Sequence, residues 1–109
     1  MLLKRVAELR PDDYEAQNNY AWALVTADRG LEAVDAAQRA VKLTNRKNAG
    51  VLDTLAHAEY AAGNWAETVK AWDDMLVIDP EFYKPLRDPL CEKDQALIDD
   101  ARRRLRGTP

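Results

Sequence analysis

The sequence has little of what most catalytic and metal sites require. Its 109 residues include one cysteine, one histidine and no serine. Cys91 has no partner for an intramolecular disulfide, and a nucleophilic triad could be built only from Cys91 together with His57. Asp53, His57 and Glu59 are too few to hold a metal, and Glu59 points away from the other two on a helix. We therefore predict a protein that is not an enzyme and has no metal site and no cofactor.

Long apolar runs and an excess of positive charge are also missing. Apolar runs such as Met75 to Ile78 are far shorter than the ~20 residues that cross a bilayer. Sixteen basic and nineteen acidic residues give a net charge of −3, whereas general binders of nucleic acid or anionic membranes are normally basic. The Arg102 to Arg106 run is better explained as the end of a helix around a buried Leu105. We predict no nucleic-acid partner, no membrane insertion and a cytoplasmic location, because the opening residues do not form a secretory signal.

What the sequence does contain is helical periodicity, clearest from Val51 to Pro80. Two amphipathic helices are predicted there on either side of Gly63-Asn64, and Gly63 suits the left-handed residue that ends the first helix. Asp79-Pro80 ends the second, because proline cannot continue a helix. The predicted apolar faces consist of Leu52, Leu55, Ala56 and Tyr60 on the first helix and Trp65, Val69, Trp72, Leu76 and Ile78 on the second.

Four more helices are expected outside this hairpin. A short opening helix carries Leu2, Leu3, Val6 and Leu9 on one face, ends at Arg10-Pro11 and must pack on a neighbour, since it is marginal alone. A second helix starts at Asp12 or Asp13 and ends at Asp28 to Gly30, and a third runs from about Leu31 to an inward-facing Leu43. After a proline-rich segment, where Phe82, Tyr83, Leu86 and Leu90 should contact the last hairpin, a closing helix begins at Pro89 or near Asp94 and reaches Leu105.

The two hairpins repeat each other. Tyr20 and Leu55, Ala33 and Thr68, and Ala40 and Met75 are all separated by 35 residues. A two-helix unit with a period near 34 is typical of helical solenoids, and the pattern resembles the tetratricopeptide repeat. The family's positions are occupied by Leu52, Leu55, Ala56, Glu59, Thr68, Trp72 and Pro80 in one hairpin and by Gln17, Tyr20, Ala21, Leu24, Ala33, Ala37 and Asn45 in the other.

The resemblance implies an all-α fold, a single domain built as a tetratricopeptide-like α-α superhelix, with a generic helical bundle as the alternative. Its parts would be a half repeat (1–11), two repeats (14–48 and 49–82), and an irregular segment with a capping helix (83–109). The family binds peptides or helices of partner proteins in a concave groove, so the resemblance implies a non-enzymatic adaptor or scaffold. The matching groove positions are Asn18, Asn19, Trp22, Thr26, Asp53, Thr54, His57 and Tyr60.

Alternatives remain open for these positions and for the whole chain. Trp22 could instead be buried against the opening helix, and His57 could simply be solvated or weakly paired with Asp53. A clamp for a terminal carboxylate is disfavoured, because Asp53 and His57 occupy places where lysine or arginine would be needed. The chain could also be a self-assembling scaffold or a repeat region excised from a larger protein. The predicted oligomer contact is formed by Leu2, Leu3, Val6 and Leu9.

Overall fold

The computed structural model describes residues 2–80 and 89–107, with side chains in the last helix from Ala96 onward. In this part of the chain there are six α-helices and no strand, which confirms the predicted all-α fold. They are α1 (Leu2–Leu9), α2 (Tyr14–Thr26), α3 (Gly30–Leu43), α4 (Ala49–Ala61), α5 (Trp65–Ile78) and α6 (Pro89–Leu105). None of these helices has the length and apolar character that crossing a bilayer requires. The predicted contacts of Phe82, Tyr83, Leu86 and Leu90 lie outside the described residues and side chains.

Polar side chains cap the first helix of each hairpin. The carboxylate of Asp13 accepts hydrogen bonds from the backbone N–H groups of Glu15 and Ala16, at 3.0 and 3.4 Å. At α4, Asn48 Oδ1 accepts a 3.1 Å bond from the N–H of Val51. These caps satisfy donors that the helix itself cannot pair, so they define where each hairpin begins.

The first helices of the two hairpins also end in the same way. At α2 the N–H of Arg29 donates to the carbonyl of Leu24 at 2.8 Å, and Asp28 is left-handed with φ +61°. At α4 the N–H of Asn64 donates to the carbonyl of Glu59 at 2.9 Å, and Gly63 has φ +79°. Both are Schellman closures. The predicted left-handed Gly63 is confirmed, and its equivalent 35 residues earlier is Asp28.

The end of α3 is tied to α5 by an arginine in an unfavourable backbone conformation. Asn45 and Arg46 both have positive φ, at +54° and +56°. The guanidinium of Arg46 donates to Asp74 at 2.8 and 3.1 Å and to Glu67 at 3.4 Å. Burial acts to raise the pKa of Asp74, but hydrogen bonds from Arg46 and Lys70 outweigh it and lower that pKa. This bridge therefore offsets part of the cost of the left-handed loop.

The hydrophobic core lies between helices that follow one another in the chain. α3 packs against α2 and α4, α5 packs against α4 and α6, and α1 packs against α2. Wholly buried alanines, including Ala21, Ala33 and Ala56, let neighbouring helices approach closely. Trp72, with no exposed surface, fills the larger space between α4 and α5. Small and large buried residues thus alternate, as close packing requires.

Three apolar residues that were predicted to face inward do not. Leu43, Ile78 and Leu105 are 37%, 42% and 49% exposed. Each is the last residue of its helix. The chain leaves the helical path directly after this position, so the apolar periodicity overestimates burial there.

The opening helix packs on α2 through a different residue from those predicted. Ala7 is buried, while Leu2 and Leu9 are 77% and 72% exposed. The contact is reinforced by Gln17 of α2, whose Nε2 donates to the carbonyls of Ala7 and Arg10 at 2.9 and 3.4 Å. These bonds satisfy carbonyls at the end of α1, and the helix is held on the side opposite Leu2 and Leu9.

Candidate protein-binding surface

Four of the predicted groove residues come together where α2 and α4 lie side by side. Trp22 of α2 contacts His57 of α4 edge to face, with ring centroids 5.4 Å apart. His57 makes a second edge contact, at 5.6 Å, with the buried Trp72 of α5. Asn18 precedes Trp22 by one helical turn, and Asp53 precedes His57 in the same way. The equivalent faces of two hairpins therefore form one continuous surface.

Asp53 fixes the orientation of the rings beneath this surface. Its Oδ1 accepts a 3.3 Å hydrogen bond from Trp72 Nε1 and lies 3.6 Å from His57 Nε2. The side chains of Asp53 and His57 are only 14% and 12% exposed. Trp22 is 40% exposed, so the alternative of its burial against α1 is not supported. The surface thus consists of a partly exposed indole beside the mostly buried side chains of Asp53 and His57.

Asn18 lies beside the indole with an unsatisfied acceptor. Its Oδ1 is buried and accepts no hydrogen bond from any described residue. A buried polar atom without a partner costs about 1–3 kcal/mol. Because this oxygen is buried, a donor from a bound molecule can reach it only if the Asn18 amide turns toward the surface.

The remaining predicted residues differ in their accessibility. Asn19 and Thr26 are exposed on α2, and the Thr26 hydroxyl donates to the carbonyl of Ala23 at 3.1 Å. Thr54 is only 3% exposed and its hydroxyl donates to the carbonyl of Gly50 at 3.1 Å. The prediction that Thr54 lines an accessible groove is therefore wrong, because its position on α4 turns it into the helix packing.

Tyr60 holds α6 in place. Its hydroxyl donates to the carboxylate of Asp100, and its ring contacts Trp65 with centroids 5.4 Å apart. Arg104 lies 4.8 Å from the centroid of the Trp65 ring and donates through Nε to Asp100 at 2.8 Å. Cation–π contacts of this kind add to the attraction between the elements that carry them. The side of Tyr60 that was assigned to a partner is therefore engaged by the chain's own last helix.

The contacts among Tyr60, Asp100 and Arg104 also shift the pKa values of these three side chains. The hydrogen bond to the Asp100 carboxylate, with burial adding to it, raises the pKa of Tyr60. Hydrogen bonds from Tyr60 and Arg104 lower the pKa of Asp100. The hydrogen bond to Asp100 and its charge raise the pKa of Arg104 further above its ordinary value. All three shifts favour the neutral tyrosine, the carboxylate and the guanidinium that hold α6 together with α4.

Two buried polar residues were not recognised as such from the sequence. Gln17 and Glu59 are 1% and 2% exposed. The carboxylate of Glu59 accepts bonds from Gln38 Nε2 at 3.2 Å and from Asn64 Nδ2 at 2.8 Å. Their repeat equivalents, 35 residues away, are the buried Leu52 and Leu24. The alignment of the two hairpins already places Gln17 at the position of Leu52 and Glu59 at that of Leu24, and this was the signal that both polar groups lie inside the packing, where they need partners.

Among the described residues, no group of three or more histidine, cysteine, aspartate or glutamate side chains could hold a metal ion. Comparisons with protein-family models, curated proteins and solved structures found no match to this chain. The case for function consequently depends on the geometry of the α2–α4 surface.

Proposed function

We propose that the chain is a tetratricopeptide-like adaptor that binds a peptide or helix of another protein across α2 and α4. The 35-residue equivalence of two hairpins, with shared caps and shared helix ends, supports the repeat assignment. Stacked repeats present equivalent faces of successive helices side by side, which suits recognition of an elongated ligand. A generic bundle would not require equivalent residues at matched positions.

The observation that carries the proposal is the environment of Trp22. Its indole is 40% exposed and makes an edge-to-face contact with the His57 ring, and His57 makes a second such contact with the buried Trp72. A tryptophan on a rigid base offers a large contact area at small entropic cost, which is why this residue is enriched at interface hot spots. A partner side chain that packs on Trp22 would bury apolar area that the free protein leaves in water.

Asn18 supplies the polar part of the same recognition. Its amide lies one turn before Trp22 on the same face, and its oxygen has no donor among the described residues. An extended peptide carries backbone N–H groups that can donate to this oxygen once the amide has turned toward the surface. Together, Trp22 and Asn18 select for an apolar side chain next to an accessible backbone donor.

A peptide selection tests this proposal. A displayed library of random peptides is selected on the wild-type protein, and the enriched peptides are synthesised and their Kd values measured by fluorescence anisotropy. The Asn18→Ala/Trp22→Ala double variant should weaken binding by about tenfold or more, since a hot spot contributes about 2 kcal/mol or more.

The matched control removes apolar area of similar exposure from another face. Leu43 is 37% exposed at the end of α3, so Leu43→Ala should leave the Kd unchanged. Circular dichroism should give the same helix content for all three proteins. Equal affinity of wild type and double variant would refute the assignment of this surface.

A further inference from the structure

The two helices that form the α2–α4 surface contain no lysine and no arginine. None of the sixteen basic residues of the chain falls within Tyr14–Thr26 or Ala49–Ala61, whereas α1, α3, α5 and α6 each carry at least one. The carboxylates of the two helices are those of Glu15, Asp53 and Glu59. With the single histidine counted as neutral, the helices of this surface carry only negative charge.

The loops that precede the two helices do not reverse this sign. Arg10 and Lys47 lie in these loops, but so do Asp12 and Asp13. The guanidinium of Arg46, the remaining basic residue there, is bound by two carboxylates of α5. A ligand that crosses α2 and α4 consequently meets a negative surface.

Glu15 lies on the same side of α2 as Trp22. The two residues are seven positions apart, so their side chains point within about 20° of each other and are separated by about 10.5 Å along the helix axis. Both side chains are exposed. The Glu15 carboxylate makes no ion pair with any described residue. An accessible carboxylate therefore stands in line with the proposed hot spot.

The other two carboxylates contribute charge more than direct contact. Asp53 is 14% exposed, and it accepts a hydrogen bond from Trp72 at 3.3 Å. Glu59 is 2% exposed, and its oxygens accept bonds from two neutral amides at 3.2 and 2.8 Å. Neither interaction cancels the charge of the carboxylate. Glu15 is thus the carboxylate that a ligand reaches directly, and Asp53 adds negative potential from α4.

We infer that the peptide bound by this surface is basic, with an apolar side chain on Trp22 and a lysine or arginine that pairs with Glu15. This inference rests on the proposed function and names the chemical class of its ligand. In an extended chain, side chains two or four residues apart lie on the same side and about 7 or 13 Å from each other. A flexible lysine or arginine at either position can bridge the remaining difference to the separation of about 10.5 Å. Acidic segments are rejected, because like charges placed together are unfavourable.

Two displayed peptide libraries test the charge preference. Both have a fixed leucine in otherwise random sequence, and they differ only at one position two or four residues from it. That position is lysine or arginine in one library and aspartate or glutamate in the other. Selection on the wild-type protein should enrich peptides from the basic library at least about tenfold over those from the acidic library.

Variants of Glu15 test which residue the basic side chain meets. The Kd of an enriched basic peptide, measured by fluorescence anisotropy, should rise about threefold for Glu15→Gln, which removes one exposed ion pair. It should rise about tenfold for Glu15→Lys, which also introduces repulsion. The same peptide with its basic residue changed to glutamate should bind Glu15→Lys more tightly than it binds the wild type.

The matched control changes the net charge equally on another helix. Asp35 is exposed on α3 and makes no ion pair with any described residue, so Asp35→Lys should leave the Kd unchanged. Circular dichroism excludes loss of α2 as the cause of any effect, and Glu15→Gln gives the answer even if Glu15→Lys does not fold.

The two proposals fail in different ways. If the Asn18→Ala/Trp22→Ala double variant loses the peptides but both libraries are enriched equally, or Glu15→Lys binds like the wild type, the surface is right and the inference of a basic ligand is wrong. If neither library is enriched, or the double variant binds as tightly as the wild type, the proposed function fails and the inference fails with it.

Discussion

Asp28 and Gly63 adopt the same left-handed conformation at equivalent helix ends, with φ +61° and +79°. Glycine does so without steric cost, whereas a side chain crowds the following carbonyl. Asp28→Gly should therefore raise the free energy of unfolding by about 0.5–1 kcal/mol. This is less than the whole steric cost of the left-handed conformation, because glycine also gains entropy in the unfolded chain. Urea denaturation followed by circular dichroism measures the change.

The matched variant Asp28→Ala distinguishes backbone strain from loss of the carboxylate. Alanine keeps the strain, so this variant should not be more stable than the wild type. If Asp28→Ala and Asp28→Gly stabilise the protein equally, the backbone conformation is not the cause.

Gly30 is required for a different reason, namely the space between α3 and α4. A Cβ built on Gly30 would lie 2.5 Å from Cβ of Ala61, well inside van der Waals contact. Gly30→Ala should therefore lower the free energy of unfolding by about 1–3 kcal/mol, although alanine is the better helix former by about 1 kcal/mol. Urea denaturation followed by circular dichroism measures this loss of stability.

A second substitution tests the cause directly. Ala61→Gly in the Gly30→Ala background removes the opposing methyl group and should recover much of the lost stability. Gly50→Ala is the control, since its nearest neighbour, Asn48 Oδ1, would be at an ordinary 3.5 Å. A comparable loss in Gly50→Ala would show that the helix contact is not responsible.

Individual residues differ in how well the sequence predicts their roles. Gly63 follows an apolar helical pattern directly, so local chemistry identifies it as a left-handed end. The role of Gly30 depends on Ala61, which is 31 residues away in sequence. No local rule connects them. Likewise, the alignment of the two hairpins predicts that Thr54 lies in the groove, but Thr54 is buried because neighbouring helices cover it.

Among the helices, α6 is held by interactions that depend on pH. The pKa of Tyr60 is raised, so its contribution is complete below the unfolded value of about 10 and is lost as the pH rises through the folded-state pKa. The pKa of Asp100 is lowered, so its contribution is complete above the unfolded value of about 4 and is lost as the pH falls through the folded-state pKa. The attachment of α6 should be firmest between these limits.

Tyr60→Phe removes the hydrogen bond to Asp100 but keeps the ring against Trp65. The carbon–proton NMR signals of the Trp65 ring, which Arg104 covers at 4.8 Å, should shift at both pH extremes in the wild type. In the variant the alkaline shift should be absent and the acid shift should move to higher pH, because Asp100 has lost a stabilising donor. Identical titrations of the two proteins would contradict this role of Tyr60.

Helix positions are predictable where local signals agree. Asp13, Gly63 and Pro80 mark ends that cap or turn chemistry alone determines, and the helices they bound are found at these places. The start of α6 at Pro89 was one of two predicted positions. Its attachment through the hydrogen bond from Tyr60 to Asp100 could not be predicted, because these residues are 40 positions apart in sequence. Long-range side-chain pairs of this kind have no local periodicity to reveal them.

The most direct test of the peptide surface is an NMR titration of the labelled protein with a peptide selected on it. The largest changes should occur at the Trp22 indole, the Asn18 side-chain amide and the His57 ring, and they should saturate together at one Kd. Leu43 and Val77, exposed on α3 and α5, should remain unchanged. If the largest changes fall on Leu43 or Val77 while Trp22 does not respond, the assignment of α2 and α4 as the working surface is wrong.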